Sequence, residues 1–135
     1  MSTPVSILTD LSACSEAVVF AMKHPNLETA WAECERGDWM LWFAAKRGLD
    51  RKKVVLIACE CARLALTYTK NRRVLKCIET TEAWTRGEAS IDDVRKARAA
   101  ADAAAAAYAY AAADARKKVL KQCAEIVRKH LPELP

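Results

Sequence analysis

From Asn26 to Leu131 the chain carries no proline, and only Gly37, Gly48 and Gly87 interrupt it. The four prolines stand at positions 4, 25, 132 and 135. A β-sandwich or barrel needs turn residues about every 8–12 positions, and this sequence has no supply of them. The scarcity leaves an all-helical domain as the default. With 135 residues the chain makes one domain, long enough to bury a core without disulfides or metals.

Helix boundaries follow from the caps and breakers. Residues 1–8 read as a loose lead-in. Thr9 or Asp10 can cap a first helix with Leu11, Cys14, Val18 and Met22 at helical spacing, stopped by His24-Pro25. Asn26 caps a second helix from Leu27, and Gly37 interrupts it. Asp38 is placed to cap a fresh stretch, Trp39 to Arg47. Gly48 ends that stretch, and Asp50 caps the next helix, 51–69.

The 51–69 segment shows the sharpest pattern. Between Val54 and Leu66 only Glu60 and Arg63 are charged, so the helix is apolar nearly all round and should run through the bundle centre. Asn71 can cap a further helix with Val74, Leu75, Ile78 and Thr81 inward, ending at Gly87. Ser90 with Asp93 resembles a capping box, with Asp in place of the longer Glu. Beyond it a helical pattern runs to about His130, where Pro132 stops it. Within it, 14 of the 19 residues from Ala97 to Ala115 are alanine, the strongest helix former. The expectation is a single-domain bundle of about five helices with a long alanine-rich C-terminal helix, or two helices if it bends. Its small-residue face and Tyr108 and Tyr110 leave an apolar stripe that points to a homodimer or higher homo-oligomer through this helix.

Six cysteines (14, 34, 59, 61, 77, 123) sit inside helical apolar patterns. The N-terminus has no basic region followed by an apolar run, so no secretory signal is expected. The thiols read as reduced core residues of a cytoplasmic protein. Cys59 and Cys61 are two apart on a helix and point to nearly opposite sides, so they cannot chelate one ion together. Cys-x-x-Cys spacing is absent, and the two histidines lie far apart; no metal and no cofactor is expected. No segment is apolar for long enough to span a membrane. The formal charge of +5 permits an anionic partner without requiring one.

Three clusters combine aromatics with charge. Glu60 and Arg63 share a face of the apolar helix, with Thr67 a turn further on. Such charges are costly in a buried helix unless paired, so they form a packing network or the floor of a polar pocket. The second cluster is Trp31-Ala-Glu-Cys-Glu-Arg36-Gly-Asp38-Trp39-Met-Leu-Trp42. Its indoles build core, or with Arg36 and Asp38 they shape a pocket that stacks a planar ligand or anchors a partner protein. The third is Glu79-Thr-Thr-Glu-Ala-Trp84-Thr-Arg86-Gly87. The Arg36–Asp38 corner, the Trp84–Gly87 corner and the Glu60/Arg63 pair could all meet at one end of the bundle. Convergence would give one recognition pocket formed by Arg36, Asp38, Trp39, Trp42, Glu60, Arg63, Glu79, Trp84 and Arg86.

Taken together these clusters resemble the small helical immunity-protein family of bacteria and phages, the fifth-type-immunity-like group. The resemblance rests on Cys34, Arg36, Asp38, Trp39 and Trp42; on Cys59 to Arg63; on Ile78, Glu79, Trp84, Arg86 and Gly87; and on Arg128, Lys129, His130 and Pro132. It covers about residues 27–132. It implies a role in immunity or anti-defence and brings no catalytic residues with it.

The leading expectation is a non-enzymatic binding protein that neutralises a protein toxin, a defence factor or a signalling molecule by sequestering or occluding it. The alternatives are a binder of nucleic acid or a small anionic, nucleotide-like ligand, and a helical structural adaptor. The nucleotide reading uses a basic rim (Lys46, Arg47, Arg51, Lys52, Lys53, Lys70, Arg72, Arg73) over tryptophan faces. An enzyme is disfavoured, because the sequence has no Gly-rich phosphate loop and no Ser/His/Asp set.

Overall fold

The computed structural model describes residues 4–64, 66, 72–105 and 113–135. Within them the chain forms eight helices and no strand: α1 (Pro4–Asp10), α2 (Ser15–Met22), α3 (Leu27–Glu33), α4 (Gly37–Lys46), α5 (Arg51–Leu64), α6 (Arg72–Thr85), α7 (Ile91–Ala105) and α8 (Ala113–His130). The all-α class read from the sequence is the observed one. Asn71, Thr67, Lys70, Tyr108 and Tyr110 lie outside the described residues, and with them the Asn71 cap, the end of the 51–69 segment and the tyrosine part of the alanine-rich stripe.

The larger number of helices has local causes. Residues 4–10, expected as part of a loose lead-in and a helix start, form α1 instead, and Leu8 is buried. Ser12 then adopts φ +62° and separates α1 from α2. Its N–H donates to the Thr9 carbonyl and the Ala13 N–H donates to that of Leu8. This paired closure, the Schellman motif, recurs at two other helix ends. Gly48 (φ +88°) and Gly87 (φ +78°) occupy the same left-handed position after α4 and α6.

Helix starts follow the capping expectations in three cases. Asn26 Oδ1 accepts the Thr29 N–H at 2.8 Å, and Asp50 Oδ2 accepts that of Lys53 at 3.3 Å. Ser90 and Asp93 exchange two reciprocal bonds at 3.1 Å. Asp38 departs from its expected role. Helix α4 begins two residues earlier than expected, at Gly37, so Asp38 lies within the first turn and is not the cap.

In space α7 packs on α6, α6 on α5, α5 on α8, and α8 on α4, with α5 also touching α4. Helix α5 is therefore in the middle of that order. Its cover is incomplete, since Leu56 is 49% exposed. Close packing lies one step over, where α8 meets α4: Ala44, Ala124 and Val127 are all fully buried. Gly37 makes this approach feasible, because a Cβ there would stand 2.5 Å from Cys123 Cβ and 2.8 Å from Ala124 N. Three long-range bonds then seat α3 against α8 and the residue that follows it. Trp31 Nε1 donates to the Leu131 carbonyl at 3.0 Å, and Arg128 Nη1 donates to the carbonyls of Cys34 (2.6 Å) and Trp31 (3.2 Å) at the end of α3. A guanidinium on the last carbonyls of a helix satisfies acceptors that have no partner within that helix.

Candidate functional site

The structure brings part of the first and third clusters together, Arg63 onto Glu82, and the charged residues pair differently from expectation.

On α5, Glu60 and Arg63 do not bond each other. Glu60 Oε2 pairs with His130 Nε2 of α8, and Arg63 forms a forked pair with Glu82 of α6, Nε to Oε2 at 3.0 Å. Neither pair is buried: the side chains of Glu60 and Arg63 are 42% and 45% exposed. The face that carries them is the solvent edge of α5, and each charge ties it to a different neighbour. Glu82 is held below the usual carboxylate range by the Arg63 guanidinium hydrogen bond.

The thiols between these charges are core. Cys59 and Cys61 are buried and all six cysteines are free. Burial, with the nearby Glu82 charge, pushes the Cys59 thiol up to about 11. Cys61 Sγ donates to the Cys123 carbonyl and Cys123 Sγ to that of Cys61, a reciprocal contact across α5 and α8. The hydrogen bond with Cys123 and burial both push Cys61 upward, away from thiolate character. Among the described residues no three His, Cys, Asp or Glu side chains are grouped so as to hold a metal ion.

Of the third cluster, Glu82 is thus held by Arg63, while Trp84 lies against the start of α5. Half-buried Trp84 packs under Arg51 and Lys52, whose charged groups stand 5.6 and 5.9 Å from its ring centroid. Arg86 pairs with Glu88 at 3.1 Å in the open, and Glu79 is exposed.

The second cluster contributes three tryptophans to a concavity. An apolar cavity of about 70 Å³ is lined by Leu8, Phe20, Trp31, Trp39, Met40 and Trp42 among others. Trp31 is core, as its bond to Leu131 requires, whereas Trp39 and Trp42 are half-buried at the edge. Arg36 lies over Trp39, its guanidinium carbon 4.5 Å from the ring centroid, and forks onto Asp38 with bonds of 2.9 and 2.7 Å. Burial alone would raise the Asp38 carboxyl. The Arg36 hydrogen bond and charge, with backbone N–H groups, hold it below its ordinary value instead. Phe20 tilts against Trp39 at 5.9 Å and stacks near His24 at 4.7 Å. His24 in turn contacts the Phe20 carbonyl (3.0 Å) and Glu33 (2.7 Å). Phe20 and His24 were not legible as site residues, because α2 shows only a generic apolar pattern. Arg128, which fixes the turn before Arg36 by holding the Cys34 carbonyl, was legible only through the family resemblance and not as a residue of this site.

A pocket of apolar rings with a few oriented polar groups on its edge is the form of a binding site. The profile of the Imm-5 like putative immunity protein family matches residues 47–131. The match spans more than half of the chain, which therefore belongs to that family. No curated protein and no solved structure matches it. Among the described residues no helix is long and apolar enough to cross a membrane.

Proposed function

We propose that this chain is a non-catalytic immunity protein that binds a protein toxin or defence factor and neutralises it by covering the surface through which that factor acts. Membership of the family supports the role, and the cavity lined by Trp39 and Trp42, with Arg36 over the Trp39 ring, supports the means. The single observation that carries the reading is the Arg36–Asp38 fork. It joins two residues of one turn and so ties no helices together, yet it holds a charged pair over an indole that lines an apolar cavity. Fixed polar groups beside desolvated aromatics are the usual anchors of protein recognition. The pocket lies upstream of the residues matched by the family profile, so it would set which partner this chain recognises rather than the immunity role as such.

The test begins by capturing the partner on the intact protein and identifying it by mass spectrometry. Protection of cells expressing that partner is then measured beside the melting temperature for Arg36→Ala and Trp39→Ala. Loss of protection with a melting shift of a degree or two in at least one variant supports the reading. Protection that follows the folded fraction in both variants overturns it.

A further inference from the structure

One dense cluster of positive charge lies at the corner between α4 and α5. Residues 46–53, the end of α4 and the start of α5, hold five cations and one carboxylate. Lys46, Arg51, Lys52 and Lys53 are exposed, and among the described residues none of them is in an ion pair. Three are braced on aromatic faces: Lys46 Nζ is 6.0 Å from the Trp42 centroid, and Arg51 and Lys52 share Trp84. Arg47 is engaged in the same way with Phe43 at 5.7 Å and donates to the Pro135 carbonyl at 3.1 Å. One turn beyond Lys52, Leu56 stands 49% exposed. The corner is thus a row of outward cations with restricted side chains beside an apolar contact.

The same contacts discriminate between anionic occupants. Single-stranded nucleic acid binds such rows by stacking bases on open aromatic faces. Here the Trp84 and Trp42 faces are already covered by Arg51, Lys52 and Lys46. A phosphate would also seek the free N–H groups at the start of α5, but Asp50 occupies that place with a carboxylate bonded to the Lys53 N–H. Side-chain carboxylates need neither stacking nor backbone amides; they need cations presented with little entropy left to lose. We infer that the α4–α5 corner docks an acidic protein surface, with Lys46, Arg51 and Lys52 pairing its carboxylates and Leu56 supplying the apolar contact. This rests on the reading of the chain as a protein-binding immunity protein and gives the partner's chemistry.

The probe is poly-L-glutamate, titrated into the full chain at low salt and followed by tryptophan fluorescence and by amide resonances. The comparison is a single-stranded oligonucleotide of equal charge. Binding should be salt-dependent, shift residues 46–56 and the Trp84 indole, and be tighter for the polypeptide. Lys46→Gln/Arg51→Gln/Lys52→Gln should weaken it tenfold or more while circular dichroism is unchanged. Lys117→Gln/Lys118→Gln/Lys129→Gln removes the same charge from α8 and should change it less than twofold. Equal loss in both triples, shifts centred on α8, or tighter binding of the oligonucleotide would each overturn the inference. If protection by the chain fails while the polypeptide result holds, the docking surface stands and the immunity reading falls; the reverse outcome removes only the docking surface.

Discussion

Gly37→Ala tests the packing on which the whole arrangement depends. The new methyl would lie 2.5 Å from Cys123 Cβ, 2.7 Å from the Cys123 carbonyl carbon and 2.8 Å from Ala124 N. Ordinary contacts of this kind are about 3.5–4.0 Å, so one helix must retreat by about 1 Å. The atoms struck are backbone and Cβ, which no rotamer change can move. Helix α8 is also pinned to α3 through Arg128 and Leu131, and Ala124 and Val127 have no spare room. A radial gap of that size forfeits about a quarter to a half of each contact's attraction along the seam. Overpacking typically costs about 1–3 kcal/mol, and this site belongs at the upper end. Helix propensity returns less than about 1 kcal/mol. At about 4 °C per kcal/mol for a domain of this size, the net loss should lower the melting temperature by about 10 °C. Thermal denaturation followed by circular dichroism measures it. Gly48→Ala is the control: no atom lies within 4 Å of the new methyl, and only the positive φ is strained, at about 1 kcal/mol. A Gly37→Ala protein that melts no lower than Gly48→Ala would refute the close-approach argument.

Ser12→Gly removes a side chain from the left-handed position between α1 and α2 and should raise stability by up to about 1 kcal/mol in chemical denaturation; a loss would mean that the Ser12 side chain contributes more than its strain costs. A chromogenic disulfide reagent should find one fast thiol, exposed Cys14, in the native protein and all six after unfolding, with Cys34, Cys59, Cys61 and Cys123 slow; three or more fast thiols would contradict the buried placement. Asp38 and Glu82 lie below their ordinary values of 3.8 and 4.5. Their contribution to stability is therefore complete above those values and is lost as pH falls through the lower folded ones. The melting temperature should hold from pH 7 to 5 and drop below about 4.5, and the drop should be shallower in Arg36→Ala/Arg63→Ala.

How much of this was legible in the sequence depends on the range of the interaction. Caps and breakers act within four residues, so Asn26, Asp50, Ser90 with Asp93, Gly48 and Gly87 could be placed from the sequence alone. Ser12 was missed because a serine in the left-handed region has no distinctive local signature. The apolar run of α5 correctly marked a helix in contact with several others, but hydropathy does not say which helices approach closest. That is decided by Gly37, Ala44 and Ala124, whose meaning appears only when they face one another. Charge pairing was the least legible. Spacing of three residues placed Glu60 and Arg63 on one face, which is necessary for a mutual pair but not sufficient. Each found a better partner 70 or 19 residues away, through contacts set by tertiary packing.

The pairing pattern also separates charges that hold the fold from charges available to a partner. Glu60–His130 and Arg63–Glu82 join α5 to α8 and to α6, so a partner that captured either charge would have to replace a contact between helices. Exposed pairs of this kind contribute only about 0–1 kcal/mol each, yet they restrain how the helices sit against one another. Arg36–Asp38 joins two residues of a single turn, and Lys46, Arg51 and Lys52 are braced on rings with no carboxylate. These groups can turn toward another molecule without releasing one helix from the next. They also lie along α4 and the start of α5, flanking Trp42, whose ring both lines the cavity and supports Lys46. A partner seated over α4 could therefore fill the cavity with an apolar side chain and reach the cationic corner with its carboxylates. Charge would then govern the rate of encounter and apolar burial the lifetime of the complex.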